Sequence, residues 1–267
     1  MLGSIERLFD ASDERQKGGS LAPAVITRPF IQFKDVRFSY PESGQPALDR
    51  INLEIKPGER VAVVGRVASG KSTFGRVLCG LYEPTEGTML INGLDSAQHR
   101  PDQLRETLRF VGQDADLFSG SIRENMALGR REATDERILE ALRETGADQF
   151  LARDSGGFDR PVGEGGRRLS GGQRSFLSLA RALVTPCELL FLDEPTGSMD
   201  SQTEKQFVER LQSSMSDNQT LVIATHRPAL FALCERIIVF SNGRVAADGP
   251  IRDVIKSTGA NLDDLTP

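Results

Sequence analysis

The 267 residues carry a formal net charge of −5, with 38% hydrophobic and 27% charged side chains, which is typical of a globular chain with a large core. The acidic balance argues against a nucleic-acid partner, and no uncharged apolar run is long enough to cross a bilayer. Three scattered cysteines without metal-ligand spacing indicate reduced thiols, and two histidines exclude a histidine-based metal cluster.

The start of the chain differs from the rest. Residues 5–16 place apolar side chains on one helical face, and residues 17–28 contain Gly, Ser and Pro as linkers do. The helix is either the tail of an upstream segment or a frayed terminus, and both readings stay open. We therefore predict a linker or tail over residues 1–28 and the main domain over residues 29–267.

Two short runs precede residue 60. Residues 31–38 and 53–55 alternate apolar and polar side chains, which predicts half-buried strands. Tyr40 follows the first run. Its ring either packs on the sheet edge or stacks on a nucleobase, and its position alone leaves both open.

The strongest chemical signal begins at Gly65, where the chain reads G-x-x-x-x-G-K-S. The β-branched run at 61–64 predicts a buried strand before this loop. A helix is predicted after it from one apolar face, formed by Phe74, Val77, Leu78 and Leu81. Strand, loop and helix in this order are the context that a P-loop requires.

The chemistry of this loop suits the phosphates of a nucleoside triphosphate. Backbone N–H groups and a helix N-terminus face the anion, Lys71 reaches the outer phosphates, and the Ser72 hydroxyl can ligate Mg²⁺. We therefore predict triphosphate binding by Gly65, Ser69, Gly70, Lys71, Ser72 and Thr73.

The middle of the chain changes from strands to helices. Residues 88–95 predict a hairpin, residues 102–108 a helix, and residues 109–113 a strand that ends at the amide of Gln113. From about 114 to 180 strand patterning is replaced by helical patterning, so we predict a helical subdomain there.

A further helix opens with Ser170-Gly-Gly-Gln173. Ser170 and Gln173 have capping-box spacing, yet two glycines in the first turn cost helix propensity. This is either a loose helix start or a place where backbone amides approach an anion closely, as at other helix N-termini.

Two predicted buried strands end in polar side chains. Residues 189–192 run into Asp193 and Glu194, and residues 220–225 deliver His226. Because ligands gather at the carboxyl ends of parallel strands, we expect these three side chains at one sheet edge. There Asp193 would hold Mg²⁺ through water, and Glu194 would orient or deprotonate the attacking water.

The remaining elements complete the predicted core. Residues 201–211 form a helix in which Ser201 and Glu204 have capping-box spacing. Residues 236–248 form a final hairpin, followed by a short helix.

Taken in chain order, these motifs resemble the nucleotide-binding domain of ABC transporters. The resemblance runs from about residue 30 to 255, and its most specific element is the signature Leu169-Ser-Gly-Gly-Gln173. It implies an α/β fold with a P-loop NTPase (RecA-like) core, an antiparallel β subdomain and an α-helical subdomain. Residues 29–267 would then be an ABC ATP-binding domain that takes ATP and Mg²⁺.

The resemblance implies that two copies of the domain pair head to tail around two ATP molecules. Each ATP would lie between one P-loop and the signature of the other copy, contacted by Ser170, Gly172 and Gln173. Tyr40 is similar to the aromatic residue that stacks on adenine. Asp200 resembles the aspartate that communicates across the interface.

Catalytic and metal roles are also implied by the resemblance. His226 is similar to the switch histidine that contacts the γ-phosphate, and Gln113 to the glutamine that reaches Mg²⁺ and the membrane partner. With Glu194 these form the expected catalytic set. The expected Mg²⁺ ligands are Ser72, Gln113 and Asp193.

Shorter sequence segments resemble the corresponding segments of ABC exporters. Residues 118–125 and 162–166 are similar to exporter loops, with Glu164 as the expected contact to transmembrane coupling helices. Four other segments, residues 65–66, 80–87, 157–159 and 198–204, are similar to type I protein-secretion ATPases of the haemolysin, RTX toxin and large-adhesin kind. This implies a transmembrane domain in the same polypeptide, upstream of residues 1–28. The ATP-binding domain would then lie at the cytoplasmic face of a bacterial inner membrane. A periplasmic adaptor and an outer-membrane channel would be further partners.

Three other functions are alternatives to a protein-secretion motor. A lipid, drug or peptide exporter would have the same motor and a different cargo. A soluble ABC ATPase of DNA repair or translation would be expected to carry a long coiled-coil insertion or tandem cassettes, and this sequence has neither. A nucleotide sensor without turnover is disfavoured because Glu194 and His226 are both present.

Overall fold

A computed structural model describes residues 25–41, 43–113, 117–128, 133–151 and 156–258 of the chain. The predicted helix over 5–16 and most of the predicted linker lie outside the described residues. No helix in the described ranges combines the length and the apolar character needed to cross a bilayer.

One sheet is antiparallel and has the strand order β2-β1-β4-β5. Its strands are β1 (Ile31–Phe38), β2 (Leu48–Ile55), β4 (Glu86–Ile91) and β5 (Leu94–Asp95). Buried and exposed side chains alternate along β2, so one face of the sheet packs on the core. The predicted strands and the predicted hairpin over 88–95 are confirmed.

The second sheet carries the functional edge. It comprises β3 (Arg60–Val64), β6 (Leu108–Val111), β7 (Leu189–Asp193), β8 (Thr220–Ala224), β9 (Arg236–Ser241) and β10 (Arg244–Pro250). The strand order is β10-β9-β3-β8-β7-β6, and every pair is parallel except β9 with β10. The carboxyl ends of β3, β7 and β8 therefore meet at one edge.

Helices cover this sheet. They are α1 (Lys71–Leu78), α2 (Pro101–Thr107), α3 (Ile122–Ala127), α4 (Asp135–Thr145), α5 (Asp148–Leu151), α6 (Gly171–Leu183), α7 (Ser201–Ser214), α8 (Pro228–Phe231) and α9 (Ile251–Thr258). Helices α3, α4 and α6 pack on one another, as a helical region would require, while its predicted limits at about 114 and 180 stay a prediction.

Helix α1 is shorter than the apolar spacing suggests. It ends at Leu78, and Gly80 follows with φ +68°. Leu81 was predicted to continue the buried face but lies beyond the helix and is 39% exposed. The left-handed glycine turns the chain away before Leu81 can reach the core.

Strand β7 separates the two large parts of the core. Leu190 and Leu192 pack in the cluster shared with the helical region, whereas Phe191 packs in the cluster shared with the antiparallel sheet. Successive side chains of a strand point to opposite faces, so this alternation is what the buried strand requires. The observed architecture is the predicted α/β fold with an antiparallel sheet and a helical region.

The close packing of α1 on β7 requires a glycine at position 75, in the middle of the helix. A Cβ at Gly75 would lie 2.3 Å from Cε1 and 2.4 Å from Cζ of Phe191. That ring is stacked against Phe110, with centroids 5.5 Å apart, and lies edge-on to Phe74. Helix α1 can approach β7 this closely only because residue 75 has no side chain.

We expect Gly75→Ala to lower the free energy of unfolding by about 1 kcal/mol. The steric cost of an overpacked core is about 1–3 kcal/mol, which exceeds the gain in helix propensity of about 1 kcal/mol. Urea unfolding measures the change. In a Phe191→Leu background the same substitution should cost nothing, and an equal cost in both backgrounds would contradict the packing account.

Candidate functional site

The P-loop begins where β3 ends. The Nζ atom of Lys71 lies 2.6 Å from the carbonyl oxygen of Gly65 and 3.2 Å from that of Arg66, so the ammonium group lies over the loop. Gly70, with φ +110°, precedes the first residue of α1. Ala68 has φ +62°, a left-handed conformation that glycine adopts at lower cost. The loop, the ammonium group and the helix N-terminus form a concave donor surface suited to phosphates.

A cleft of about 390 Å³ opens beside this loop. It brings together the three oxygen donors that the sequence proposed for a magnesium ion, namely Ser72, Gln113 and Asp193. Asp193 is 3% exposed, and its Oδ1 atom has no hydrogen-bond partner among the described residues. Oxygen donors of this kind fit Mg²⁺, and an unpaired buried carboxylate oxygen fits a missing cation.

Burial raises the pKa of the Asp193 carboxyl above its ordinary value. The neighbouring Ser72 hydroxyl offsets part of this shift, and the positive charges of Arg76 and Lys71 offset less. Desolvation therefore dominates, which a bound cation would counteract.

Glu194 and His226 meet at the same edge. Nδ1 of His226 lies 2.9 Å from Oε2 of Glu194. The contact does not satisfy hydrogen-bond geometry, however, and that buried carboxylate oxygen has no hydrogen bond within the described ranges. Glu194 also has φ +47°, an uncommon value for a non-glycine residue, which turns its side chain out of the strand path. The predicted juxtaposition of Asp193, Glu194 and His226 at one edge is confirmed.

Tyr40 lies close to the P-loop helix rather than on a remote sheet edge. Its hydroxyl oxygen is 3.0 Å from Oγ1 of Thr73. Its ring makes edge-to-face contacts with Phe38, at 5.0 Å between centroids, and with Tyr82, at 5.9 Å. The structure thus brings the aromatic residue next to the predicted phosphate site.

The capping box predicted at the start of α6 is present. The backbone N–H of Gln173 donates to Oγ of Ser170 over 3.2 Å, and the N–H of Ser170 donates to Oε1 of Gln173 over 3.0 Å. The two glycines between them have a packing role. A Cβ at Gly171 would lie 2.7 Å from Oγ of Ser198, and one at Gly172 would lie 3.3 Å from Cγ2 of Thr203.

The start of α6 is far from the cleft beside Ser72. Ser178, further along α6, lines that cleft, whereas Ser170 is exposed at the helix start. Ser178 lies eight residues after Ser170, which corresponds to about 12 Å along the helix axis. The signature and the P-loop are therefore separate surfaces of one chain.

The helix after the carboxylates is capped by a different residue from the one predicted. Asp200 accepts from the backbone N–H groups of Gln202 and Thr203 over 3.0 and 2.9 Å, and from the Thr203 hydroxyl over 2.9 Å. The predicted Ser201–Glu204 box is wrong because Glu204 turns inward and accepts from the Thr196 hydroxyl over 2.7 Å.

Sequence reasoning missed Thr203, which holds Asp200 through its hydroxyl and whose methyl group is the nearest neighbour of a Cβ placed at Gly172. Its position three residues after an aspartate, the spacing of a capping interaction, was an available signal. These donors lower the pKa of the Asp200 carboxyl below its usual value.

We expect Asp200→Ala to lower the free energy of unfolding by about 1 kcal/mol, the usual cost of a lost cap. Asp200→Asn should be nearly neutral because asparagine caps equally well. Ser201→Ala is the matched control and should change little. Thermal or urea unfolding of the three variants checks this, and a larger effect at Ser201 would restore the original assignment.

The sequence and the fold of this chain are similar to those of known proteins. The model of the ABC transporter family matches residues 48–197. An ATP-dependent lipid A-core flippase of Chromobacterium violaceum is 39% identical over 256 residues, covering 96% of this chain and 43% of the relative. A putative multidrug export ATP-binding/permease protein of Staphylococcus aureus is 36% identical over 96% of this chain and 44% of the relative.

Two further proteins are similar to almost the whole of this chain. The mycobactin import ATP-binding/permease protein of Mycolicibacterium smegmatis is 37% identical over 99% of this chain and 45% of the relative. The solved structure of a bacterial Atm1-family ABC exporter with ATP bound superimposes with a TM-score of 0.88 at 33% identity, covering 99% of this chain and 46% of that one. The chain spans a little under half the length of the relatives it matches, and it belongs to the ABC transporter family.

Proposed function

We propose that this chain is the ATP-binding and ATP-hydrolysing part of an ABC exporter. The observation that carries the proposal is the meeting of three groups at one sheet edge. They are the Lys71 ammonium group over its loop, the buried Asp193 and the Glu194–His226 pair. They lie at or after the carboxyl ends of the neighbouring strands β3, β7 and β8, and together they supply what phosphoryl transfer to water requires.

ATP would bind with its phosphates on the P-loop and its adenine against Tyr40. Mg²⁺ would be held by Ser72 and Asp193, with Gln113 in the same cleft. The metal ion supplies positive charge to the phosphate oxygens as they gain negative charge. Lys71 and the N-terminus of α1 contribute the remaining positive potential.

Glu194 is the proposed residue for the attacking water. Its side chain is 12% exposed, and its buried Oε2 atom has no hydrogen bond among the described residues, so it can accept one from water. The His226 side chain is 44% exposed and lies beside that carboxylate, so it is accessible to a γ-phosphate. This arrangement suits orienting or deprotonating the nucleophile.

A second copy of the domain would complete the site. Ser170, Gly172 and Gln173 lie on a surface separate from their own P-loop, so they need another chain to meet a nucleotide. Ser198 and Met199 before α7, and Thr203 in its first turn, are the nearest neighbours of Gly171 and Gly172. We therefore infer a head-to-tail homodimer around two ATP molecules.

The cargo is proposed from the relatives. Names among them refer to lipid A-core, multidrug and mycobactin transport, which favours a lipid or small-molecule cargo over protein secretion by the type I route. The relatives also give no support to a periplasmic adaptor or an outer-membrane channel. Names that join ATP-binding to permease support a transmembrane part in the same polypeptide. The domain would then act at the cytoplasmic face of the membrane, where Glu164 is an exposed candidate contact.

We expect Glu194→Gln to bind ATP normally and to lose at least about 100-fold in turnover, the usual size of general-base catalysis. With ATP this variant should elute as a dimer, because the closed state no longer hydrolyses its nucleotide. Phosphate release and size-exclusion chromatography measure the two effects.

Glu209→Gln on the exposed side of α7 is the control and should keep full activity. Full turnover by Glu194→Gln would remove Glu194 from catalysis. A monomer at every concentration with ATP would contradict the paired arrangement.

The nucleobase contact is tested at Tyr40. Tyr40→Ala should weaken ATP binding several-fold, consistent with stacking of about 1 kcal/mol. Tyr40→Phe keeps the ring and removes only the hydroxyl contact to Thr73, so it should bind nearly as well. If the unmodified chain, Tyr40→Ala and Tyr40→Phe bind ATP equally well in a titration, Tyr40 has only a packing role.

A further inference from the structure

The cleft beside Ser72 has a second wall that the proposed magnesium site does not use. Its lining includes Arg76 from α1, Arg109 from β6 and Arg181 from α6. Asp193 is the one acidic side chain among its described lining residues. We call this space the arginine cleft.

Two of these guanidinium groups are held in place by their surroundings. Arg76 lies 5.6 Å from the ring centroid of Phe110 and 6.0 Å from that of Tyr82. Nη2 of Arg109 donates to the carbonyl oxygen of Glu106 over 3.3 Å and to Oγ1 of Thr185 over 3.2 Å. Nε of Arg109 is buried and has no partner in the part of the chain that the structure describes.

Ser178 provides an independent observation. It lines the cleft, is 3% exposed, and its hydroxyl has no hydrogen bond among the described residues. A buried hydroxyl without a partner is costly, and native proteins seldom retain one without a ligand or water to satisfy it. The cleft thus holds unpaired donors at Arg109 and Ser178.

Among the described residues the cleft also holds an unpaired acceptor, Oδ1 of Asp193, which it shares with the proposed magnesium site. A carboxylate there repels an anion, although the guanidinium groups of Arg76 and Arg109 outweigh its charge. A ligand that satisfies both the unpaired donors and the unpaired acceptor is an anion that carries a proton of its own. Inorganic phosphate at neutral pH keeps at least one hydroxyl, which can donate to Asp193 while the other oxygens accept from the arginines.

We propose that the arginine cleft binds inorganic phosphate, the product that leaves the neighbouring P-loop after ATP hydrolysis. The proposal rests on the proposed ATPase function for the source of the phosphate. The binding site itself is a property of this chain. Sulfate has the same shape but no proton at neutral pH, so it should bind more weakly than phosphate.

The test uses Lys71→Ala as the parent protein, because the P-loop also attracts phosphate. The thermal midpoint of the chain is measured in phosphate, sulfate and chloride at equal ionic strength. Phosphate should raise the midpoint of the parent more than sulfate does, since a ligand that binds the folded state stabilises it. Both oxyanions also strengthen hydrophobic burial in every protein, so the comparison between variants decides the question.

Ser178→Ala and Arg109→Gln are the test variants in this parent, and Arg252→Gln on the exposed face of α9 is the charge-matched control. The apparent phosphate dissociation constant should rise at least five-fold in the first two and stay unchanged in the control. Ser178→Ala should also have a higher midpoint in chloride, because an unpaired buried hydroxyl is removed. That variant keeps the test decisive should Arg109→Gln fail to fold.

The proposal is overturned if phosphate and sulfate act alike in the parent, or if the test variants respond as the control does. It is equally overturned if phosphate has no effect in the parent, in which case the arginines are left for an acidic side chain of a partner protein. ATP hydrolysis by the unmodified chain is assayed separately, so a failure of the proposed function is distinguishable from a failure of the phosphate site.

Discussion

Two carboxylates end β7 of the parallel sheet, and Asp193 is almost wholly buried there. Removing a carboxylate from water is unfavourable, and the raised pKa of Asp193 reflects that cost. Lys71 and Arg76, whose positive charges offset part of that cost, both belong to α1. The packing of α1 on β7 therefore governs the site, and Gly75 against Phe191 is the contact that allows it.

Helix α6 links the two surfaces of the domain. Its first turn carries the signature residues and rests on Ser198 and Thr203, and its later turns place Ser178 and Arg181 in the cleft beside the P-loop. The first turn and Ser178 are about 12 Å apart along the helix axis. The fold thereby joins the surface proposed for pairing to the surface proposed for hydrolysis.

The sequence was most informative where local rules decide the structure. The P-loop, the capping box of Ser170 and the strand ends carrying Asp193, Glu194 and His226 were all predicted, because spacing and buried-strand patterns determine them. The cap of α7 was assigned one residue late, because Glu204 is drawn into the core by Thr196, a contact that sequence spacing does not reveal.

Other features depend on contacts between distant segments. Phe191 lies more than a hundred residues from Gly75, so the reason for that glycine could not be read from the helix alone. The arginine cleft likewise assembles side chains from three separate elements. The predicted protein cargo is not supported by the relatives, whose names refer to lipids and drugs. The short motifs of this domain suit ATP chemistry and do not identify a cargo.

The central claim is that a working site needs the P-loop of one chain and the signature of another. Mixing two inactive proteins tests it most directly. Lys71→Ala disables the P-loop, and Ser170→Asp keeps a good helix cap while placing a negative charge where a phosphate is expected. The account predicts that the mixture hydrolyses ATP far faster than the sum of the two proteins alone, because mixed dimers contain one intact site. A mixture no more active than that sum would contradict it.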